Sequence, residues 1–266
     1  MAQFVLPPKP KRSPLNVAKR WMIWLIIAFL YVWTFLEINI DWAAVSERFI
    51  SSLDRIIPRL FSPDFSATGE ILLSMLETIF IAFAGSLTAA VIAIPLGFWA
   101  AANIGRSQFA TALGKWFLSA VRAFPDLILA ILFIVAVGAN PFAGVLAIAI
   151  GATGMLGKLY SEVIESIDMN IVETMEASGA GKLQILFKGV IPQVIPEFLS
   201  YAIYRFEIDI RASTILGIVG AGGIGTMIQF AQMNRNWEEM GMILLVVIVV
   251  VIIIDYLSSM IRRRIV

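Results

Sequence analysis

Apolar residues gather in six stretches of this chain, to be judged against the roughly 20 residues that an α-helix needs to cross a bilayer. The first, 21–40, is apolar to about Ile38 and carries Trp21, Trp24 and Trp33. The second, 71–102, has no charge between Thr78 and Gly105. A third, 116–137, is interrupted by Arg122 and Asp126. The turn-forming string Gly138-Ala139-Asn140-Pro141 divides it from a fourth, 142–157, which predicts a helical hairpin within the membrane. The fifth, 196–217, contains Arg205, Glu207, Asp209 and Arg211, and the sixth, 240–261, is a nearly unbroken Leu/Val/Ile run. The pattern predicts an all-α membrane protein with six transmembrane helices, which puts both termini on one side.

Between the first two spans, Trp42, Val45, Phe49, Leu53, Ile56 and Leu60 recur at helical spacing, with Glu47, Arg48, Asp54 and Arg55 between them. That spacing predicts an amphipathic segment over 41–65, lying on the outer, periplasmic surface. Residues 1–20 read as a cytoplasmic tail, and the Pro/Lys-rich stretch 7–14 is expected to be disordered. The interfacial tryptophans, and the lack of a small-residue cleavage site after the first apolar run, favour a retained anchor over a signal peptide.

Orientation follows from the basic residues, because Lys and Arg in short flanking segments stay in the cytoplasm. Thirteen of the 20 fall on the side of the termini, among them Lys19, Arg20, Lys115 and Arg262 to Arg264. Four, Arg48, Arg55, Arg59 and Arg235, fall on the other side, and Arg122, Arg205 and Arg211 lie within spans. Both termini are therefore expected in the cytoplasm.

Composition agrees: 59% of the residues are hydrophobic and 15% charged, too little polar surface to cover a soluble globule of 266 residues. There is no Cys and no His, which removes disulfides, thiolate metal sites, thiol nucleophiles and the commonest general base. Hydrolytic or redox chemistry and a metal site are not expected. A net charge of +1 gives no reason to expect a nucleic-acid partner.

The long polar stretch 158–192 reads as helix, turn, helix on the cytoplasmic side. On charge pattern alone it is equally a solvated loop. It contains Glu173-Thr174-Met175-Glu176-Ala177-Ser178-Gly179-Ala180-Gly181, then Gly189-Val190-Ile191-Pro192. The spacing of Glu173, Gly179 and Pro192 resembles the EAA motif of binding-protein-dependent ABC importer permeases, with Thr174 and Met175 in place of two alanines, Gly189 for Ile and Ile191 for Leu. The resemblance implies that this is a coupling helix docking into an ATPase, with Glu173, Glu176, Ala177, Gly179, Ala180 and Lys182 at the contact.

Further strings narrow the family. Arg122-Ala123-Phe124-Pro125-Asp126, Val137 to Val145, Tyr204-Arg205-Phe206-Glu207, Arg211, and Val219 to Gly225 together are similar to the phosphonate-uptake permeases, over about Ser66 to the end. Asp126 stands where that family often has Glu. The resemblance implies a five-helix type I ABC importer permease core over 66–266, preceded by one extra helix, in a bacterial inner membrane. It implies as partners two ABC ATPase subunits, a periplasmic substrate-binding protein and a second permease copy or paralogue, all in membrane lipid. ATP and magnesium would then be bound by the ATPase, with no cofactor in this chain. Phosphonate, phosphite, hypophosphite and phosphate all remain open as cargo.

Gly220-Ala221-Gly222-Gly223-Ile224-Gly225 satisfies the dinucleotide fingerprint G-x-G-x-x-G, which needs a preceding strand and a βαβ unit. Between two spans, Gly220, Gly222, Gly223 and Gly225 read instead as unwound backbone or tight packing, and Gly138 and Pro141 as the hairpin break. No G-x-x-x-x-G-K-[ST] occurs, so an ATP-driven motor has to be another polypeptide.

Charges inside a span are costly unless paired or wet, so the fifth span holds the candidate translocation path or gate: Arg205, Glu207, Asp209, Arg211, Ser213 and Thr214. Helical spacing predicts Arg205 paired with Asp209 and Glu207 with Arg211, which is equally a self-neutralised structural network. Arg122 and Asp126, also one turn apart, are expected to clamp the cytoplasmic end. Two rival readings stand beside the importer: an ion-coupled secondary transporter, whose uptake would ignore ATP depletion, and a non-transporting membrane scaffold.

Overall fold

The computed structural model describes residues 14–38, 40–105 and 107–265. The tail up to residue 13, with most of the Pro/Lys-rich start, lies outside the described residues. The chain forms two compact units, Met1–Ile57 and Pro58–Val266. The described part of the first comprises α1 (Pro14–Glu37) and most of α2 (Trp42–Leu60). Exposed aromatic pairs line α1, Tyr31 and Phe35 lying 4.8 Å apart. The Asp41 carboxylate accepts the Ala44 N–H at 3.0 Å, supporting the first turn of the amphipathic helix expected over 41–65.

The second unit follows a short 3-10 turn at Phe65–Ala67, where the Ser66 N–H donates to Asp64 at 2.8 Å and holds that carboxyl below its ordinary value. Its helices are α3 (Thr68–Ala100), α4 (Gln108–Arg122), α5 (Asp126–Val137), α6 (Pro141–Glu165), α7 (Met169–Ala177), α8 (Lys182–Ile185), α9 (Ile191–Ile218), α10 (Ile224–Met233) and α11 (Trp237–Ile265). There is no strand among the described residues. By length and composition α1, α3, α6 and α11 can cross a membrane.

The continuous third span expected over 116–137 is a broken one. α4 and α5 meet at 78° and make a fifth candidate only when taken together. Pro125 lacks an N–H and disfavours helical backbone at Phe124, so the break falls at Ala123 to Pro125. The hairpin turn lies where the sequence places it: Gly138 adopts φ +89°, the Asn140 carbonyl side chain accepts the Ala143 N–H at 3.2 Å, and Pro141 opens α6. α9 has 28 residues, enough to span, but too many charges for an apolar criterion.

α3 and α6 form the centre of the unit through small residues that allow close backbone approach. A Cβ on Gly85 would meet Ile148 at 2.6 Å, and one on Gly97 would meet Tyr160 at 2.8 Å. Tyr160 stacks on Phe198 of α9 with ring centroids 3.9 Å apart, and its hydroxyl donates to the Phe198 carbonyl at 3.2 Å.

Candidate functional site

The fifth hydrophobic stretch folds into α9 because its apolar residues outnumber its charges and Arg205, Glu207, Asp209 and Arg211 each find a partner. Arg205, 8% exposed at its side chain, lies 2.8 Å from Asp209, which is fully buried. This is the pair that the one-turn spacing predicts. The same guanidinium reaches Asp126 at the start of α5, at 3.3 Å, and the Ser86 hydroxyl of α3 donates to the second Asp209 oxygen at 3.0 Å. Three helices, α3, α5 and α9, therefore meet on one ion cluster.

The other expected pair does not form. Glu207 takes Arg262 of α11 at 2.8 Å, and Arg211 takes Asp255 of α11 at 3.3 Å. α11 packs along this face of α9 and offers a partner of each sign, which displaces the contact within the helix. The clamp expected between Arg122 and Asp126 is also absent: the Pro125 break turns Asp126 to Arg205, and Arg122 is exposed with no ion pair among the described residues. Nor does Asp126 sit at one end of the bundle. Ser86, on the same cluster, is eighteen residues from the start of α3 and fourteen from its end, about 27 and 21 Å at 1.5 Å per residue.

Ser213 is buried with its hydroxyl oxygen unpartnered, as is Arg205 Nε, whereas the Thr214 hydroxyl donates to the Ile210 carbonyl at 3.2 Å. Unmet polar atoms at this depth mark a layer that can take water or a polar ligand.

The glycine string following α9 is unwound backbone, with Gly220, Gly222 and Gly223 at φ +101°, +82° and +72°. The Ile224 N–H at the head of α10 donates to the Thr78 hydroxyl at 2.8 Å, and Gly225 packs against Gly217 so closely that side chains would collide. No βαβ unit surrounds it among the described residues.

At the opposite end, α7 and α8 make the helix, turn and helix expected within 158–192, whose first residues are the end of α6. Asp168 caps α7 by accepting the Asn170 N–H at 2.9 Å. A π turn over Leu186–Val190 leads into α9. Glu173, Glu176, Ala177, Gly179 and Lys182 are exposed and Ala180 is half-buried. Gly179 takes φ +79° with open space where a side chain would point. Sequence reading missed the apolar part of this surface, Leu183 (71% exposed) and Phe187 (62%), and a groove of about 400 Å³ lined by Asn103, Met169, Glu176 and Lys182. It also missed Asp255, although one carboxylate in an apolar run is a signal in itself.

A sequence model of the family described as "Binding-protein-dependent transport system inner membrane component" matches residues 93–266. Among curated proteins, the phosphite transport system permease protein PtxC of Stutzerimonas stutzeri is 36% identical over 80% of this chain and 78% of its own length. The phosphate-import permease protein PhnE of Mycolicibacterium smegmatis is 36% identical over 79% of this chain and 40% of its own. The putative cryptic phosphonate transport system permease protein PhnE2 of Escherichia coli is 40% identical over 46% of this chain and 99% of its own. The fold matches that of a chain solved in inward-facing conformations of the MetNI methionine ABC transporter, with a TM-score of 0.66, 20% identity, and coverage of 76% of this chain and 99% of that one.

Proposed function

The chain belongs to the family of binding-protein-dependent transport system inner membrane components and is the permease subunit of an ABC importer, and from that premise we propose that it forms the membrane path for phosphonates or the related oxyanions phosphite and hypophosphite. The observation that carries the substrate class is the 36% identity to a phosphite permease across 80% of this chain. A separate ATPase supplies the energy, a periplasmic binding protein delivers the anion, and a second copy or a paralogue closes the path. The motor docks on the exposed surface of α7 and α8, at Glu173, Glu176, Ala177, Gly179, Ala180 and Lys182. ATP draws the two coupling segments together, and because the π turn is continuous with α9, their movement reaches the charged layer directly. Arg211 serves the path, while Arg205 and Asp209 hold the helices that frame it.

A single uptake experiment tests substrate and docking together. Cells that can convert phosphite and methylphosphonate to phosphate but lack their own phosphorus-oxyanion importers, supplied with this permease, its ATPase and its binding protein, are expected to grow on either as sole phosphorus source. Gly179→Asp should abolish growth with the protein still in the membrane, because a side chain at φ +79° strains the turn and intrudes on the docked surface. Absence of growth with the unaltered permease would end the substrate reading. Growth of the Gly179→Asp cells would move the docking site elsewhere.

We further propose six spans, α1, α3, the α4–α5 pair, α6, α9 and α11, with both termini in the cytoplasm. The thirteen-to-four division of flanking Lys and Arg supports this, as does the pairing of Arg205, Glu207, Asp209 and Arg211, which lets α9 enter a bilayer. A reporter active only in the cytoplasm, fused after Val266, should be active, and signal from a periplasm-only reporter at that point would refute the arrangement.

A further inference from the structure

We propose that Arg262 of α11 is a second anion station, inward of Arg211, and that a phosphorus oxyanion passes between the two by displacing the carboxylate paired with each. The inference rests on the substrate class argued above. Counted along the sequence, Arg262 is one of three arginines flanking the last span on its cytoplasmic side. Its contacts place it elsewhere. Its guanidinium bonds Glu207 at 2.8 Å and lies 5.8 Å above the Tyr204 ring, so it sits beside the middle of α9. From Tyr204, α9 continues thirteen residues to Ile191, about 20 Å, before the coupling segment begins.

The face that Arg262 meets is polar. Glu197, Tyr204 and Arg211 recur every seven residues, two turns apart, and all three are exposed along α9. Asp255 and Arg262 hold the same spacing on α11 and meet that stripe at Arg211 and Tyr204. Charges along such a stripe cannot face hydrocarbon, so it borders water or protein.

The two ion pairs are mirror images: arginine on α9 with carboxylate on α11, then carboxylate on α9 with arginine on α11. Asp255 and Arg262 are separated by about 10 Å along the helix, a short step for a small anion. Arg262 is also incompletely used. Glu207 takes one edge of its fork, whereas its Nε is buried with no hydrogen-bond partner. A tetrahedral oxyanion offers that fork two oxygens, a match that a single carboxylate oxygen does not make. When the anion leaves, Glu207 re-forms its bond, so the station holds without trapping.

The test uses the complete transporter in sealed vesicles, with phosphite import measured against phosphite preloaded on the ATPase side. Glu207→Gln removes the competitor, so Arg262 should retain internal phosphite and inhibition of import from that side should strengthen about tenfold. Arg262→Lys in that background should keep part of the effect, and Arg262→Gln should abolish it. If Glu207→Gln leaves the inhibition constant unmoved while import continues, the pair is a structural clamp and the proposal fails. Should the unaltered transporter import no phosphorus oxyanion, the substrate reading itself fails. Lipid phosphate offers the same chemistry, so the measurements are repeated in vesicles of phosphatidylcholine alone. An effect that appears only with anionic lipid would assign Arg262 to a headgroup and overturn the proposal.

Discussion

Replacing Arg205 by leucine is expected to cost the folded permease about 3–5 kcal/mol, the usual penalty for removing one partner of a buried ion pair. Asp209 is fully buried, and without the guanidinium it keeps only the Ser86 hydroxyl as partner. Asp126, also turned toward that point, becomes a second carboxylate facing the first. Thermal unfolding of the purified protein in detergent should show a large loss of stability for Arg205→Leu. Asp126→Asn should lose little, because Asp126 is one-third exposed at its side chain and such pairs contribute about 0–1 kcal/mol. The double change Arg205→Leu with Asp209→Leu should recover much of the loss, since apolar replacement of a whole buried pair is often close to neutral. Equal stability of Arg205→Leu and the unaltered protein would mean that the cluster is solvated in the assembled transporter.

The sequence made the long elements plain because apolar runs and helical spacing are local properties. The hairpin at Gly138 to Pro141, the amphipathic α2 and the unwound glycines after α9 all stand where their residues put them. What it hid was relational. An i,i+4 rule sees only one helix, so it found the Arg205–Asp209 pair yet paired Glu207 with Arg211, when α11 supplies a partner for each. The break at Pro125 is written in the Phe124-Pro125 step, which the one-turn spacing of Arg122 and Asp126 masks because that spacing holds only in an unbroken helix. On the exposed surface of α7 and α8 the motif showed the polar residues and Gly179. Leu183 and Phe187 carry no signal until the fold leaves them uncovered.

Arg211→Gln is expected to reduce phosphite import at least tenfold, while Arg211→Lys retains a measurable part. An oxyanion released by its binding protein loses hydration on entering a narrow path, and one guanidinium can offset about 2–3 kcal/mol of that cost through charge-assisted hydrogen bonds. Lysine keeps the charge and loses the planar fork; glutamine loses the charge. The surroundings of Arg211 support that reading. Arg211 and Asp255 remain 48% and 46% exposed at their side chains, on helices whose other outward residues are largely apolar, so this pair opens onto water or a neighbouring subunit. The contact is 3.3 Å on both carboxylate oxygens, long for a charge-assisted bond and therefore open to exchange. If Arg211 serves the path, Asp255 competes with the cargo and prevents a grip too tight for release. The decisive variant is the double change Arg211→Gln with Asp255→Asn, which is neutral and close in volume to the original pair. If Arg211 serves the path, import stays as low as in Arg211→Gln alone, because removing the unpaired carboxylate restores no site for the anion. If Arg211 serves only to neutralise Asp255, the double change restores import to the original rate, and the charges between α9 and α11 are then structural.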